Sequence, residues 1–302
     1  MSIAELEAAE IAFEAPSGLW RDAMHRFVRN PGAMVGVGMV SVIVFAAIFA
    51  PLIARYDPLQ QNFNALRNGF PTGPSWKHWF GVDTLGRDQW ARIVYGARIS
   101  LLIGVVTVSI GLSIGLVLGS LAGYLGGKVD SVIMRCMDIM LAIPGFLFAI
   151  GLVALLGPGL LNIMIAVGVV QVPIFARLLR GSILAQRESD YVLAARAVGV
   201  RGARVLVSHI IPNSISPVIV QATLSMATAI IDVAGLGFLG LALKDPATPE
   251  WGSMLTNAND YMASSIFLAI IPGVAILISV LGFNLIGDGL REALDPKLRG
   301  RV

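Results

Sequence analysis

IMLAIPGFLFAIGLVALLGPGLLNIMIAVGVVQVPIFA, residues 139–176, carries no charged side chain. A helix crosses the hydrocarbon core of a bilayer in about 20 residues. The run is too long for one crossing and about right for two, and Leu156-Gly157-Pro158-Gly159 supplies the turn between them. It predicts a third span over 132–156 and a fourth over 160–180. This division makes the number of spans even, and an even number puts both ends of the chain on one side of the membrane.

Outward from this run, charge-free windows frame the other spans. No charge lies between Arg29 and Arg55, which predicts span 1 at 33–54, or between Arg98 and Lys128, which predicts span 2 at 99–123. Span 5 is expected from Ser214 to Leu243 and span 6 from Ser264 to Ile286. Composition agrees: 56% of the residues are hydrophobic and 14% charged, where a soluble domain carries about 25% charged. The mean hydropathy is +0.78. The fold class is an all-α integral membrane protein with six transmembrane helices. Of the 22 basic residues, six lie in the external segment 55–98 and Lys244 makes a seventh outside, which leaves fifteen inside. The positive-inside rule then sets the orientation as N-in, C-in. The small excess of base over acid is read as this topological bias and not as a footprint for nucleic acid.

Three divisions are expected: a cytoplasmic N-terminal segment at 1–32, a first span with an external cap segment at 33–98, and a five-span core at 99–302. Residues 2–14 are rich in Ala and Glu, and no uninterrupted apolar run in the first thirty residues reads as a cleaved signal. Trp20, Met24, Phe27 and Val28 share one helical face, with Arg21, Arg26 and Arg29 mostly elsewhere. This is either an interfacial helix on the cytoplasmic leaflet or an ordinary basic flank of span 1. The lone Cys136 excludes an internal disulfide and is expected as a buried, inert thiol.

Gly111, Gly115, Gly119 and Gly123 recur every four residues in span 2. A bare ridge of this kind lets two helix backbones approach closely. Charges at membrane depth are expensive and are functional candidates by default. Arg135 and Asp138 are expected to pair along one helix face. Asp232 has no partner nearby in sequence, so it lines a water-filled path or faces a neighbouring subunit. Pro144, Pro173 and Pro272 interrupt spans 3, 4 and 6. Gly123 to Val129 is not a phosphate loop, because Ala122 and Val129 stand where that pattern requires Gly and Ser or Thr. With no nucleotide site and no catalytic or metal-ligand constellation, the chain reads as a non-enzyme that takes its energy from a partner.

Between spans 4 and 5 lies a polar segment, 181–213. Asp190 is expected to cap a short helix from Tyr191 to Val198. Gly199 fits a left-handed C-terminal cap. A second helix follows from Ala203 to His209, and Pro212-Asn213 is expected to break the chain before span 5. Small side chains at Ala194, Ala195 and Ala197 would let a partner surface approach the backbone. The alternative is a solvated connector. The external segment 71–98 offers Trp76, Trp79, Phe80, Trp90 and Tyr95, suited to the membrane interface. Asp83, Arg87, Asp88, Arg92 and Arg98 would build a salt-bridged cap over the mouth, or a docking surface for a binding protein.

Ala194-Ala195-x-x-x-Gly199 with Pro212 thirteen positions on resembles the coupling loop of binding-protein-dependent ABC importer permeases, with Leu193 where the family carries glutamate. His78 to Asp88 with Gly96 to Leu101, Phe238 to Leu241 with Pro249 to Leu255, and Gly287 to Arg291 with Leu294-Asp295-Pro296 resemble signatures of its dipeptide/oligopeptide branch. The resemblance implies a type I importer architecture. It implies an ATPase-coupling loop at Tyr191, Ala194, Ala195, Arg196, Gly199 and Pro212. It implies an external cap or docking surface at Trp79, Asp83, Arg87, Asp88 and Trp251, and a candidate pathway residue at Asp232. The implied partners are a second homologous permease in a heterodimer, two ABC ATPases that bind ATP and Mg, and an extracytoplasmic solute-binding protein. The implied place is the cytoplasmic (inner) membrane, and the implied cargo is a di- or oligopeptide. The same family would serve another cargo, such as a nickel complex, glutathione or an antimicrobial peptide. An ion-coupled secondary transporter using Asp138 or Asp232 is the rival outside it.

Overall fold

The computed structural model describes residues 19–242 and 248–295. The segment 2–14, the predicted end of span 5 at Leu243, Lys244 and the tail from Pro296, with Lys297, Arg299 and Arg301, lie outside the described residues. Within them the chain is helical, and its only strand-like pairings are two isolated bridges in the external segment.

Among the described residues, five helices are long and apolar enough to cross a membrane. They are α2 (Pro31–Ile48), α4 (Gln89–Leu125), α7 (Leu160–Arg187), α11 (Ser216–Phe238) and α13 (Phe267–Leu294). The expected straight third span is instead a pair, α5 (Gly127–Ala142) and α6 (Gly145–Leu156), bent by 96°. Pro144 sits at the break. It has no N–H to give and pushes the residue before it out of the helical region, and Ile143 is extended, with φ −91° and ψ 130°. The pair still makes one crossing. Asp130 meets Arg180 at one end, Met137 packs with Val172 and Ala176 in the middle, and Ala149 and Val153 pack with Ile163 and Met164 at the other end. From Ile163 to Arg180, α7 rises roughly 25 Å, so the bent pair runs antiparallel to α7 across the apolar thickness. Counted as one span, it is the sixth.

The glycine ridge of α4 packs on α7. A Cβ at Gly111 would stand 2.8 Å from the Gly168 carbonyl oxygen, one at Gly115 2.5 Å from Phe175 Cβ, and one at Gly119 2.6 Å from the Ala176 carbonyl oxygen. All are inside van der Waals contact, so only glycine admits this approach. A smaller junction joins α2 to α13, where a Cβ at Gly36 would lie 2.7 Å from the Gly282 carbonyl oxygen.

Span 1 ends earlier than expected. α2 stops at Ile48 and a short α3 (Ala50–Ile53) follows. Pro51 cannot accommodate the carbonyl four residues before it, which is that of Ala47. Arg98 of α4 donates to the Ala47 and Ile48 carbonyls, the latter at 2.9 Å. Arg98 therefore seals a helix end and is no part of the expected salt-bridged cap. The expected Arg135–Asp138 pair does not form. Asp138 pairs with Arg177 of α7 instead, because the bend carries the lower half of the span alongside that helix. Cys136 is exposed, not buried, since α5 touches the rest of the chain along one side only.

Candidate functional site

At the inner end, α8 (Asp190–Ala197) forms the core of the polar segment. Ser189 occupies the capping position, so Asp190 is the first helical residue and not the cap. Ser189 Oγ donates to the Gln186 carbonyl at 2.6 Å. Tyr191 Oη donates to Gln186 Oε1 at 2.8 Å. The helix closes in a left-handed turn at Gly199, φ +82°. Val200 N–H reaches back to the Ala195 carbonyl at 3.1 Å and Gly199 N–H to that of Arg196 at 3.0 Å, the paired bonds of a Schellman cap.

α8 has two faces. Val192 and Ala195 are buried and pack with Leu179 and Ile183 of α7 and with Val205 and Ile210. Ala194, Arg196, Ala197 and Gly199 are exposed. Leu193 is 51% and Val198 80% exposed. The expected row of small partner-facing residues thus holds Ala194 and Ala197 but not Ala195, whose place one turn from Val192 turns it inward. Beyond Gly199 the chain does not break at Pro212. α9 (Gly202–Val205), a π-turn (Leu206–Ile210) and α10 (Ile211–Ser214) run on, and Ile215, between helices, keeps right-handed helical angles (φ −80°, ψ −22°) on the way into α11. Pro212 lies in the first turn of α10, where a missing N–H costs nothing. Tyr124, near the end of α4, presses on the same segment: a Cβ at Gly202 would lie 2.2 Å from its hydroxyl oxygen.

Two ion pairs tie α7 to the broken span just above α8. Arg180 and Asp130 pair through Nη2 and Oδ2 at 2.6 Å, and Arg177 pairs with Asp138. Sequence reading missed both, because their partners stand 50 and 39 residues apart.

At the outer end, Asp83 accepts from Leu85 N–H and Arg87 N–H at 2.9 Å each and pairs with Arg87 Nε at 2.6 Å and Arg92 Nε at 3.4 Å. Arg92 Nη1 donates to the Pro58 carbonyl at 3.2 Å. Asp88 caps α4 through Ala91 N–H at 2.8 Å and holds His78 Nδ1 at 2.8 Å. Asp83, Arg87, Asp88 and Arg92 are buried, so they knit the cap from within. Trp251, at the start of α12 (Trp251–Asn259), is also buried and donates to the Ile93 carbonyl at 3.1 Å. Trp79 stays partly exposed, with Arg55 stacked 4.2 Å from its ring and Trp90 5.5 Å away. Of the aromatic set, Trp76 stands out at 93% exposed. Glu250 is a further keystone: its two carboxylate oxygens accept from Gly252 and Ser253 N–H, each at 2.7 Å. Burial pushes its carboxyl up from the usual value, and these bonds pull the other way. A carboxylate immediately before a helix start was the signal for it.

Between the two ends, α11 carries Gln221, Ser225, Thr228 and Asp232 at helical spacing along one side, with Gln221 Nε2 donating to Ser225 Oγ at 3.3 Å. Asp232 is half-buried and makes no hydrogen bond or ion pair among the described residues. One turn on, a Cβ at Gly235 would stand 3.2 Å from the ring of Phe146, at the start of α6. The elbow around it, residues 141–147, is exposed throughout. Asp232, unpaired among the described residues, and the open elbow thus share one region toward the outer end of α11.

The bundle as a whole has counterparts among solved structures. Its fold matches a chain of the MetNI methionine ABC transporter in an inward-facing form, with a TM-score of 0.56 and 20% identity over 68% of this chain and 97% of that one. It also matches a chain of an amino acid ABC transporter, with a TM-score of 0.51 and 15% identity over 65% of this chain and 91% of that one. Residues 115–300 match the model of the binding-protein-dependent transport system inner membrane component, and residues 18–71 match the N-terminal TM domain of oligopeptide transport permease C. The chain belongs to the binding-protein-dependent transport system inner membrane component family. It is 47% identical to a dipeptide transport system permease protein of Alkalihalophilus pseudofirmus, over 93% of this chain and 90% of that one. It is 45% identical to a di/tripeptide transport system permease protein of Pseudomonas aeruginosa, over 97% and 96%, and 47% identical to a glutathione transport system permease protein of Salmonella typhimurium, over 93% and 91%. It is a multi-pass protein of the inner membrane and a transport component, an ABC importer permease.

Proposed function

We propose that this chain is one of two homologous permeases in an ATP-driven importer of di- and oligopeptides. It pairs as a heterodimer with the second permease, two ABC ATPases carry ATP and Mg, and an extracytoplasmic binding protein delivers the cargo. The chain itself binds no cofactor. The observation that carries this reading is the two-faced α8. Its outer side offers Leu193, Ala194, Arg196 and Val198 to a partner, with Tyr191 at the near end and Gly199 at the far end. Its inner side is packed on α7 through Val192 and Ala195.

The geometry gives a route for force. A push on α8 moves the end of α7. Arg177 and Arg180 pass the motion to the lower half of the broken span. Tyr124 passes it to α4, and the continuous path through Pro212 passes it to α11. The elbow at Pro144 lets α5 tilt without dragging α6. The bundle then alternates between inward and outward openings, and ATP and the loaded binding protein each bind one state better than the other. Asp232 lies on the pathway, where its carboxylate meets the cationic amino terminus of a peptide. The buried cap at Asp83, Arg87, Asp88 and Trp251 holds the outer mouth in shape, and Trp79 sits on the surface a binding protein approaches. Glutathione is itself a peptide, so the names of the relatives agree on a peptide cargo.

The test is purification of the chain from its own membrane in mild detergent, identification of its companions, and uptake by the reconstituted complex. Recovery of a second six-span permease and one or two nucleotide-binding subunits, with ATP-dependent uptake of a labelled dipeptide, is the expected result. Ion-driven uptake by this chain alone would overturn it.

A further inference from the structure

At the inner end of the bundle, α1 (Leu19–Arg29), the last turns of α7, the start of α11 and the end of α13 line a half-open cavity of about 610 Å3. It lies at the opposite end of α11 from Asp232, takes in only Gln221 of that helix's polar side, and includes no residue of α8. Among the described residues its lining carries two guanidinium groups, Arg26 and Arg291, and the side-chain amides of Gln186, Asn213 and Gln221, against one carboxylate, Asp295. The volume is far beyond a single water, whose share is about 30 Å3, and falls in the range of small-molecule sites.

Arg26 is the informative residue. By sequence it belongs with Arg21 and Arg29 on the solvent side of α1, yet it leans into the bundle. Its Nη1 is buried and has no hydrogen-bond partner among the described residues. A buried donor without an acceptor is rare in native proteins and marks a place where an ion or water belongs. Five N–H donors in a rigid fork make arginine the natural partner of a phosphate.

The position of the cavity identifies who brings that phosphate. α1 packs on α13, where Phe27 of α1, with Ala33 of α2, crowds Gly289. Met24 and Val28 point away, 62% and 53% exposed. An apolar strip on a basic helix fits the headgroup boundary of a bilayer. Arg291 and Gln186 are on the cytoplasmic side, where the leaflet is anionic and basic pockets between transmembrane helices seat acidic headgroups.

We propose that this cavity binds a phosphate group, presented by the headgroup of an anionic phospholipid of the cytoplasmic leaflet, between Arg26 and Arg291. Asn213 and Pro212, at the joint between the polar segment and α11, line the same cavity. An occupied site therefore braces that joint against α1 and α13.

The experiment uses the purified complex in detergent stripped of native lipid. Its thermal unfolding midpoint is followed while short-chain phosphatidylglycerol, short-chain phosphatidylcholine or inorganic phosphate is added. Phosphatidylglycerol should raise the midpoint at concentrations where the other two do not. Arg26→Gln and Arg291→Gln should each weaken that response roughly tenfold, and Arg21→Gln, on the exposed side of α1, should not. If Arg26→Gln fails to fold, the exposed Arg291 still gives the answer. Equal stabilisation by inorganic phosphate would keep the phosphate site and remove the lipid as its source. An unchanged response in Arg291→Gln would overturn the site. A response that appears only after deletion of residues 2–14, which carry Glu5, Glu7, Glu10 and Glu14 and no basic residue, would assign the cavity to the chain's own acidic segment instead.

Discussion

Arg180 holds Asp130 in a two-pronged grip, Nε on one carboxylate oxygen and Nη2 on the other, the second at 2.6 Å. The pair joins the cytoplasmic end of α7 to the first turn of the broken span. It stands two turns before the end of α7, which leads into α8, so whatever moves α8 reaches α5 through it. Both side chains are partly exposed, 31% and 18%, which keeps the pair's contribution to stability modest.

Replacing Arg180 by Lys keeps the charge and loses the fork. A double-mutant cycle with Asp130→Asn should give a coupling on the order of 1 kcal/mol in thermal or denaturant unfolding. Uptake by the reconstituted complex should fall much further than stability does. Equal, small losses in both would show that the pair is only a brace.

Gly115 faces Phe175 with no room for a methyl group. Gly115→Val forces α4 and α7 apart along their whole contact, and overpacking of this kind typically costs about 1–3 kcal/mol or more. Fluorescence-detected size exclusion should show loss of the folded peak. Gly151→Val, where no described residue stands within 4 Å of the added carbon, is the matched control and should run as wild type.

Gly199 also has open space around it, so its requirement is conformational: φ is +82°. A β-branched residue there strains the turn by about 1–2 kcal/mol and displaces the end of α8 without touching the bundle core. Gly199→Val should insert and assemble, yet hydrolyse ATP without matching uptake. The ratio of transport to ATPase rate in proteoliposomes measures this, and a ratio equal to wild type would remove α8 from the coupling role.

Glu250 makes stability depend on pH with an unusual sign for a carboxylate. Its folded pKa is raised by burial above the ordinary 4.5. The native state therefore holds the proton more tightly than the unfolded state. That contribution is complete below 4.5 and is lost as pH climbs through the raised folded value. Unfolding midpoints taken across this window should fall with rising pH for the wild type. Glu250→Gln should lack that component of the slope, at the expense of one of the two N–H bonds to the start of α12.

Much of the fold was legible in the residues because the bilayer imposes a one-dimensional rule. Charge-free windows located the crossings, and the positive-inside bias set their direction. The four-residue glycine repeat announced a close helix contact, and Gly199 announced its left-handed turn. The motif fragments pointed to the importer family. Each of these signals is local, read within a window of a turn or a span.

What the sequence left open was which helix meets which. The glycine ridge did not name α7 as its partner. Asp138 was assigned to Arg135, three residues away, because the bend that delivers it to Arg177 is a tertiary angle. Pro144 could be read as a kink, but 96° and an exposed elbow follow from how α5 and α6 lie against α7. Ala195 and Arg26 turned inward for the same reason: a helix face is fixed by its spacing, but its neighbour is fixed by packing among segments distant in the chain. The sequence by itself determined the number, place and direction of the crossings, since each depends on transfer of one segment into lipid. The tertiary structure alone decided the ion pairs, the broken span and the basic cavity, since each depends on the distance between side chains that the chain brings together only once it has folded.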